Sequence, residues 1–222
     1  MAWEGTSMVK EKEKRETIKE RTTKERIVYE SLKLFSQQGY HGVSMREIAA
    51  AVGMKGASLY NHFKGKEDIF QAIFSEMTKQ YDAAAMRMHV PMEDNQTTVI
   101  AYSEMQEKQL LAMAEGLFEF FTQNEFAVLF RKLIISEQHK SDLAAKCLKD
   151  YYLEGPILFQ SHIFEGLQKI GNFKDFDVEV MAIHFYSPIY YILSRFDAGY
   201  SYEEGLEQVK KHVQYFCKLY RK

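Results

Sequence analysis

The sequence is poor in residues that interrupt helices and in residues that cross-link small folds. It holds three prolines, twelve glycines and two cysteines among 222 residues. Because proline and glycine are the strongest helix breakers, long stretches of the chain are free to be helical. The two cysteines, Cys147 and Cys217, are far apart and cannot build a disulfide framework. The sequence therefore predicts an all-α protein in which both cysteines pack as small apolar residues.

Long apolar runs are absent too. No run approaches the roughly 18 to 20 residues of a membrane-spanning helix, and the first residues lack the apolar core of a signal peptide. We therefore expect a cytoplasmic protein with no membrane partner. Apolar residues make up 46% of the chain and charged residues 27%, which excludes a disordered or collagen-like chain. The length allows one large domain or two small ones.

The net charge of -2 conceals an uneven distribution. The first 70 residues carry 13 Lys and Arg against 10 Asp and Glu, which gives +3, and the remainder carries 16 against 21, which gives -5. The N-terminal third is therefore the basic end of the chain, as a segment that contacts nucleic acid would be.

A short glycine-punctuated segment follows the first helical pattern. Apolar positions recur at helical spacing from about residue 17 and stop at Gly39. Ser44 and Glu47 form an S-x-x-E capping box that opens a second helix. Gly53 permits a tight turn before another short helix at about residues 56–62. Two helices around a glycine-containing turn are the signature of a helix-turn-helix motif.

The second short helix of this motif has the side chains of a DNA-reading surface. Asn61 can pair with adenine, and Lys55 can reach a guanine edge or a phosphate. Small side chains at the start of the helix would let it approach base edges closely. These small residues are Gly56, Ala57 and Ser58.

Phosphate contacts are predicted on either side of that surface. Tyr60 and His62 are placed to donate to phosphate oxygens. Lys64 and Lys66 flank the N-terminus of the next helix, where unpaired N–H groups and the helix dipole favour an anion. The segment therefore predicts a clamp on the DNA backbone.

Residues 42–49, 52–54 and 59–67 resemble the DNA-binding domain of the TetR family of bacterial repressors, across about residues 20–74. Spacing, glycines, the LYNHF core and the lysine before the fourth helix all agree. Lys55 stands where family members often have Ser or Thr. The resemblance implies that Ser44, Tyr60 and Lys66 contact phosphate and that Arg46 reaches a base or the backbone. The predicted DNA-binding residues are Ser44, Met45, Arg46, Lys55, Gly56, Ala57, Ser58, Tyr60, Asn61, His62, Lys64 and Lys66.

The resemblance also implies a layout for the whole chain. Residues 1–16 are expected to form a disordered or charged arm. Residues 17–66 are expected to form the helix-turn-helix DNA-binding domain, with the motif at about residues 44–63. Residues 67–222 are expected to form a helical bundle that binds a ligand and dimerises, with helix breaks near residues 124, 139–141, 155–156, 171–175 and 199–201.

The C-terminal two thirds is rich in aromatic residues, with 16 of the 31 aromatic side chains between Tyr151 and Tyr220. A pocket in a helical bundle is apolar with a few polar groups, so a hydrophobic or aromatic small molecule fits as the inducer. Each candidate residue is also compatible with ordinary core packing. The candidates are Tyr102, Met105, Met113, Phe120, Phe121, Phe130, Tyr152, Phe159 and Tyr186.

The last two helices are predicted at about residues 178–196 and 202–220. Pro188 should kink the first or shift its pairing. The last helix carries an apolar stripe suited to a partner helix. The resemblance implies a homodimer with a four-helix bundle, whose two-fold symmetry matches a palindromic site. The candidate interface residues are Ile189, Ile192, Leu193, Val209, Val213 and Phe216.

No HExxH, GxSxG, P-loop or GxGxxG motif occurs, so no enzyme activity, metal or cofactor is expected. The preferred hypothesis is a dimeric, ligand-responsive repressor that binds operator DNA and is released by the inducer. One alternative is a transcriptional activator or a regulator of another regulator. Another is a helical ligand-binding or scaffold protein whose helix-turn-helix contacts protein.

Overall fold

The structure, a computed structural model, describes residues 21–87, 96–104 and 107–222. Within these ranges there is no β-strand beyond an isolated bridge between Phe173 and Arg221, and the all-α prediction is confirmed. The helices are α1 (Thr23–Gln38), α2 (Met45–Val52), α3 (Gly56–Tyr60), α4 (Lys66–Arg87), α5 (Gln96–Glu104), α6 (Glu107–Gln123), α7 (Glu125–Glu137), α8 (Asp142–Leu148), α9 (Glu154–Lys169), α10 (Val178–Asp197) and α11 (Tyr202–Tyr220).

The chain forms two compact units that divide between Glu76 and Met77, inside α4. The sequence places the domain boundary between residues 66 and 67, and that boundary stays a prediction. The predicted arm at residues 1–16 lies outside the described residues.

The smaller unit contains α1 to α3 and the first part of α4. Helix α1 begins at a capping box: the Thr22 hydroxyl accepts from the Glu25 amide, and the Glu25 carboxylate accepts from the Thr22 amide. The helix ends at Gly39, whose φ of 75° favours glycine. The core of this unit consists of fully buried apolar side chains, as expected where each short helix buries one face. Its central members are Ile27, Leu32, Phe35, Ile48, Leu59, Ile69 and Ile73.

The larger unit contains the rest of α4 and helices α5 to α11. Helix α9 packs against α5 and α10, and α11 packs against α6 and α10. Helix α10 runs from Val178 to Asp197 with Pro188 inside it. One core cluster centres on Phe164, Met181 and Phe216, and another on Phe118 and Leu193.

A π-helical turn, Lys149–Leu153, joins α8 to α9. The sequence predicts a break at Gly155 and Pro156, but both lie inside the first turn of α9, and the irregularity comes just before them. Gly155 is there for a steric reason: a Cβ atom at this position would collide with the Asp150 carbonyl oxygen. Proline is tolerated in a first helical turn because its missing N–H would have no intrahelical partner there. π-Helical turns are frequent at functional sites.

A buried ion pair ties α7 to the end of α10. Arg131 is 1% exposed, and its Nε and Nη2 donate to the two Asp197 carboxylate oxygens at 2.6 and 2.7 Å. Its Nη1 donates to the Phe121 carbonyl oxygen at 2.8 Å. The bidentate geometry and the third bond satisfy a charge that would otherwise be very costly to bury.

Among the described helices, none is both long and apolar enough to cross a membrane.

Candidate DNA-binding face and ligand cavity

The helix-turn-helix begins at Ser44, which caps α2 as the sequence predicts. The Ser44 hydroxyl accepts from the Glu47 amide at 3.3 Å, and the Glu47 carboxylate accepts from the Ser44 amide at 2.7 Å. These hydrogen bonds from Ser44 stabilise the carboxylate and hold the pKa of Glu47 below its usual value. The box fixes where α2 starts and leaves Ser44 on the surface.

The turn between α2 and α3 depends on Gly53, which has φ 74° and ψ 35°. This left-handed conformation lets the Met54 amide donate to the Ala49 carbonyl at 2.9 Å and end α2. Leu59 and Phe63 then anchor α3 from beneath, since both are buried. Lys55 occupies the N-cap of α3 and makes no side-chain capping bond. Its side chain is exposed.

The predicted reading residues share the outer surface around α3. Tyr60, an aromatic side chain that would usually be buried, is 56% exposed. Met45 and Ser58 are partly buried, and the others are exposed: Arg46, Lys55, Gly56, Ala57, Asn61, His62 and Lys64. Segment 44–66 carries four basic residues and one acid, Glu47, which is engaged in the capping box. The surface is therefore basic and has small side chains at its centre.

Lys66 lies in a different environment from Lys64. The Lys66 ammonium donates to the carbonyl oxygens of Tyr40 and Val43 at 2.6 and 2.8 Å, and it lies 4.4 Å from the Tyr40 ring centroid. The Tyr40 hydroxyl donates to Glu67 at 3.0 Å. Burial, with the Glu67 bond and charge, raises the pKa of Tyr40 to about 12. Lys66 thus ties the loop before α2 to the start of α4, and one of its three N–H groups remains for any phosphate.

A partly open cavity of about 360 Å³ lies in the larger unit. This volume is within the range of small-molecule sites. The lining is mainly apolar and aromatic, and it comes from α4, α5, α6, the π-helical turn and α9 to α11. Six of the nine predicted ligand residues line it: Tyr102, Met113, Phe121, Tyr152, Phe159 and Tyr186.

Two predicted ligand residues do not line the cavity. Phe120 and Phe130 are buried behind it, where Phe120 contacts Tyr81 and Phe130 contacts Tyr151 through their rings. An aromatic cluster in the sequence cannot distinguish a lining ring from the ring behind it. Met105 lies outside the described residues.

Sequence reasoning missed Tyr81 and Tyr151, which both line the cavity. Tyr81 lies on α4, and Tyr151 lies in the π-helical turn. The neighbouring tyrosines 151 and 152, close to Gly155 and Pro156, are the sequence feature that could have indicated a lining segment here.

The predicted dimer-interface residues pack inside the larger unit, and their role in a dimer stays a prediction that this burial does not favour. Ile192, Leu193, Val209, Val213 and Phe216 are all buried within the single chain. Ile189 is partly buried and lines the cavity. The apolar stripe of α11 faces the core of its own unit, so it has no free surface for a second chain.

The opposite faces of α10 and α11 carry the exposed apolar residues. On α10 these residues recur at helical spacing along one stripe: Val180, Ile183 and Tyr191. On α11 they are Tyr215 and Leu219. The two helices are held side by side by bonds from His184 to Tyr220 and from His212 to the Phe185 carbonyl, each 2.7 Å. We call the exposed apolar residues of these two helices, Val180, Ile183, Tyr191, Tyr215 and Leu219, the outer face.

A chain with an exposed, basic helix-turn-helix in one unit and an apolar cavity in a second, helical unit is typical of a DNA-binding regulator. Residues 27–73 match the family described as bacterial regulatory proteins, tetR family. This match and the comparisons below support a TetR-type transcriptional regulator, and the family model covers the DNA-binding segment of the chain.

Individual relatives agree with this assignment. YttP of Bacillus subtilis (strain 168) is 26% identical over 65% of both chains. IcaR of Staphylococcus aureus (strain Newman), a negative transcriptional regulator of the biofilm operon icaADBC, is 42% identical over 22% of this chain and 26% of its own length. The aligned parts thus span less than two thirds of either relative.

The fold of the described residues resembles that of solved TetR-family structures. A TetR family transcriptional regulator from Pseudomonas syringae pv. tomato str. DC3000 aligns with a TM-score of 0.61 and 21% identity. The alignment covers 89% of this chain and 96% of that one, so it supports the fold of both units.

Proposed function

We propose that the protein is a ligand-responsive repressor that binds palindromic operator DNA as a homodimer and is released by a hydrophobic or aromatic small molecule. The observation that carries the proposal is the outer surface of α3, which exposes Tyr60, Asn61 and His62 beside Lys55 and is anchored only from beneath. Exposed aromatic and amide groups on a short helix with a glycine start have no packing role in the monomer.

The DNA contacts follow from this surface. Tyr60 and Lys64 are exposed and donate to phosphate oxygens, while Asn61 and Lys55 read base edges. The Ser44 hydroxyl donates to the Glu47 carboxylate at 2.6 Å, so it contacts a phosphate only by giving up that hydrogen bond. Lys66 contributes a phosphate contact only through its remaining N–H, because two carbonyl oxygens occupy the others. Its main contribution is to position the loop before α2.

The homodimer forms through the outer face. Val180, Ile183 and Tyr191 of one chain pack against the same face of its partner, together with Tyr215 and Leu219. Replacing Tyr191 with Asp should give a folded monomer, and replacing Ile100 of α5, which is also exposed, with Asp should leave the dimer intact. Light scattering during size-exclusion chromatography measures both. If the Tyr191→Asp variant is still a dimer, the interface does not lie on the outer face.

The ligand acts through α4. This helix begins at Lys66, next to the helix-turn-helix, and carries Tyr81 in the cavity lining. A molecule that prefers one position of Tyr81 biases the position of α4 and shifts the two reading helices from the roughly 34 to 36 Å spacing of successive major grooves. Spin labels at position 60 measure that distance. An unchanged distance on release from DNA contradicts the mechanism.

Repression is favoured over activation because the relative IcaR is a negative regulator. The protein acts in the cytoplasm, where its operator lies. A scaffold role, in which the helix-turn-helix contacts protein, predicts no salt-dependent binding to DNA.

Genomic footprinting tests the function directly. It should recover an inverted repeat, and a screen of apolar compounds on that operator should find one that releases the protein. If the recovered sites share no sequence, or the protein protects no DNA, the proposal fails. Transcription from the operator then separates repression from activation. Deleting the gene of a repressor raises this transcription, whereas deleting the gene of an activator lowers it.

A further inference from the structure

We propose that the cavity takes a neutral aromatic molecule that carries a hydroxyl group, and that the side-chain amide of Gln160 forms hydrogen bonds with this hydroxyl. The inference rests on the proposed function, since it names the chemistry of the molecule that the larger unit senses. It assigns the polar contact to one residue of α9.

Gln160 lies on the inward side of α9. The exposed residues of this helix recur at helical spacing and form its solvent side. They include Leu158, His162, Glu165 and Lys169. At 3.6 residues per turn, Gln160 falls on the opposite side of the helix, together with Pro156, Phe164 and Leu167. All four of these inward residues line the cavity, so the Gln160 side chain starts from the cavity wall.

The amide of Gln160 has no hydrogen-bond partner among the described residues. Its side chain is partly buried, and neither of its polar atoms is fully enclosed by protein. The amide offers both a donor and an acceptor, as a hydroxyl does. A bound hydroxyl therefore gains the hydrogen bonds that the protein itself does not make to Gln160.

The other amide and most of the phenols of the lining are already bonded within the protein. The Tyr102 hydroxyl donates to the Met113 sulfur at 3.6 Å, the Tyr151 hydroxyl pairs with Thr78 at 2.6 Å, the Tyr186 hydroxyl donates to the Tyr152 carbonyl at 3.1 Å, and the Asn172 amide donates to the Ser103 carbonyl at 3.2 Å. The Tyr152 hydroxyl is enclosed by protein and out of reach of a ligand.

Tyr81 is the second lining residue whose polar group has no hydrogen bond among the described residues. Its ring contacts those of Phe120, Phe121 and Tyr151, with centroids 6.1, 5.9 and 6.2 Å away. These contacts account for an aromatic residue at position 81 without any ligand. No such packing accounts for an amide on the apolar inward side of α9, where Met would fill the same space without a polar group to satisfy.

The charged groups of the lining leave no counter-ion for a ligand. Asp150 forms an ion pair with Lys146, and Arg221 has an interaction of its own. A carboxylate or ammonium ligand would lose its hydration in this cavity without gaining a full partner. Aromatic rings also attract cations, so a cationic probe belongs in the test. The charge state that fits an amide and paired charges is neutral.

Four naphthalene probes test the proposal by equilibrium dialysis against the full chain, with naphthalene fluorescence as the readout. They are naphthol, methylnaphthalene, naphthoate and trimethyl(naphthyl)ammonium, which share one ring system and differ in the substituent. We expect naphthol to bind more tightly than either charged probe. Gln160→Met should lower the ratio of naphthol affinity to methylnaphthalene affinity by about 2- to 10-fold, as the loss of one net hydrogen bond implies.

Two control variants remove a phenol hydroxyl from the same lining. Tyr151→Phe acts on a hydroxyl already paired with Thr78, and Tyr81→Phe acts on the hydroxyl without a partner. Both should keep the ratio of the unaltered protein. A lower ratio in Tyr81→Phe with an unchanged ratio in Gln160→Met would assign the contact to Tyr81 and overturn the inference. Equal losses in all three variants would also overturn it.

Gln160→Glu is a second variant that tests whether this side chain is within reach of the ligand. A carboxylate on the inward side of α9 should tighten binding of the ammonium probe by about 5-fold and weaken binding of naphthoate by a similar factor. Unchanged affinities for both charged probes would show that position 160 does not contact the ligand. Circular dichroism checks that each variant is folded, and either variant alone decides if the other is not.

The outcomes separate this inference from the proposed function. Tighter binding of a charged probe than of naphthol, or an unchanged ratio in Gln160→Met, would overturn the inference, while the cavity would still bind small molecules. Binding of none of the four probes would overturn both the inference and the ligand role of the cavity. The DNA-binding part of the proposed function is tested independently by footprinting.

Discussion

The Lys66 ammonium donates to the Val43 carbonyl oxygen at 2.8 Å, across the base of the helix-turn-helix. The family resemblance implies a phosphate contact for this lysine, but the geometry gives it first a structural role. Replacing Lys66 with Ala removes two charge-assisted hydrogen bonds and should lower the free energy of unfolding by about 1 to 3 kcal/mol. Thermal unfolding measures the loss.

Lys64 is the matched control for Lys66, because its side chain is exposed at the other end of the same short turn. Lys64→Ala should leave unfolding within about 0.5 kcal/mol, yet weaken binding to all DNA sequences and reduce the salt slope by about one. If Lys66→Ala unfolds like the unaltered protein and still loses DNA binding, Lys66 is a phosphate contact and not a structural residue.

Ser44 combines a capping role with a proposed phosphate contact, and two substitutions separate them. Ser44→Ala removes the cap and should cost about 1 kcal/mol of stability. Ser44→Asp keeps a capping oxygen but presents a negative charge to the phosphates. The Asp variant should therefore be nearly as stable as the unaltered protein and bind DNA more weakly than the Ala variant. Equal DNA affinity of the two variants would remove Ser44 from the interface.

Because Arg131 and Asp197 form a buried ion pair, we expect the effects of replacing them on the free energy of unfolding to be strongly coupled. Asp197→Leu leaves the Arg131 charge buried and should cost about 3 to 5 kcal/mol. Adding Arg131→Met should recover most of that loss, because the buried charge is removed as well. Urea unfolding of the larger unit measures both variants. Two independent, additive losses would show that the pair is not energetically coupled.

Because the pKa of His212 is lowered in the folded protein, we expect the protein to lose stability in mild acid. Burial lowers the pKa of His212, as does the nearby His184, although the bond to the Phe185 carbonyl raises it. The unfolded chain therefore binds a proton at His212 at higher pH than the folded chain, so stability falls as the pH drops below about 6.5. His212→Gln keeps a donor for the carbonyl and should reduce the difference in melting temperature between pH 7.5 and pH 5.5. An unchanged difference would contradict the assignment to His212.

Local signals in the sequence predicted the smaller unit well. The Ser44 and Glu47 box, the turn at Gly53 and the small start of α3 all depend on near neighbours, so their pattern is visible in the chain itself. The T-x-x-E box at Thr22 is a signal of the same local kind and marks the start of α1. What near neighbours could not show was the partner of Lys66, because the bond to Val43 spans 23 positions.

The larger unit was harder to predict because its side chains have two apolar environments. Phe130 and Phe159 both lie in apolar helical patterns of the sequence. Phe130 is buried outside the cavity lining, whereas Phe159 lines the cavity. The stripe on α11 is regular, but periodicity shows only that a helix has an apolar face and not which neighbour covers it. Val209 and Val213 are covered by their own chain, and the apolar residues of the outer face remain exposed.

The account depends above all on the exposed surface of α3 reading DNA. The most direct test is binding of the full chain to a footprinted operator and to a scrambled duplex, measured by fluorescence anisotropy over a series of salt concentrations. Asn61→Ala should reduce the preference for the operator by about 1 to 3 kcal/mol and leave the salt slope unchanged, whereas Lys64→Ala should reduce the slope and keep the preference. Salt-insensitive binding, or equal effects of the two variants on preference and slope, would contradict it.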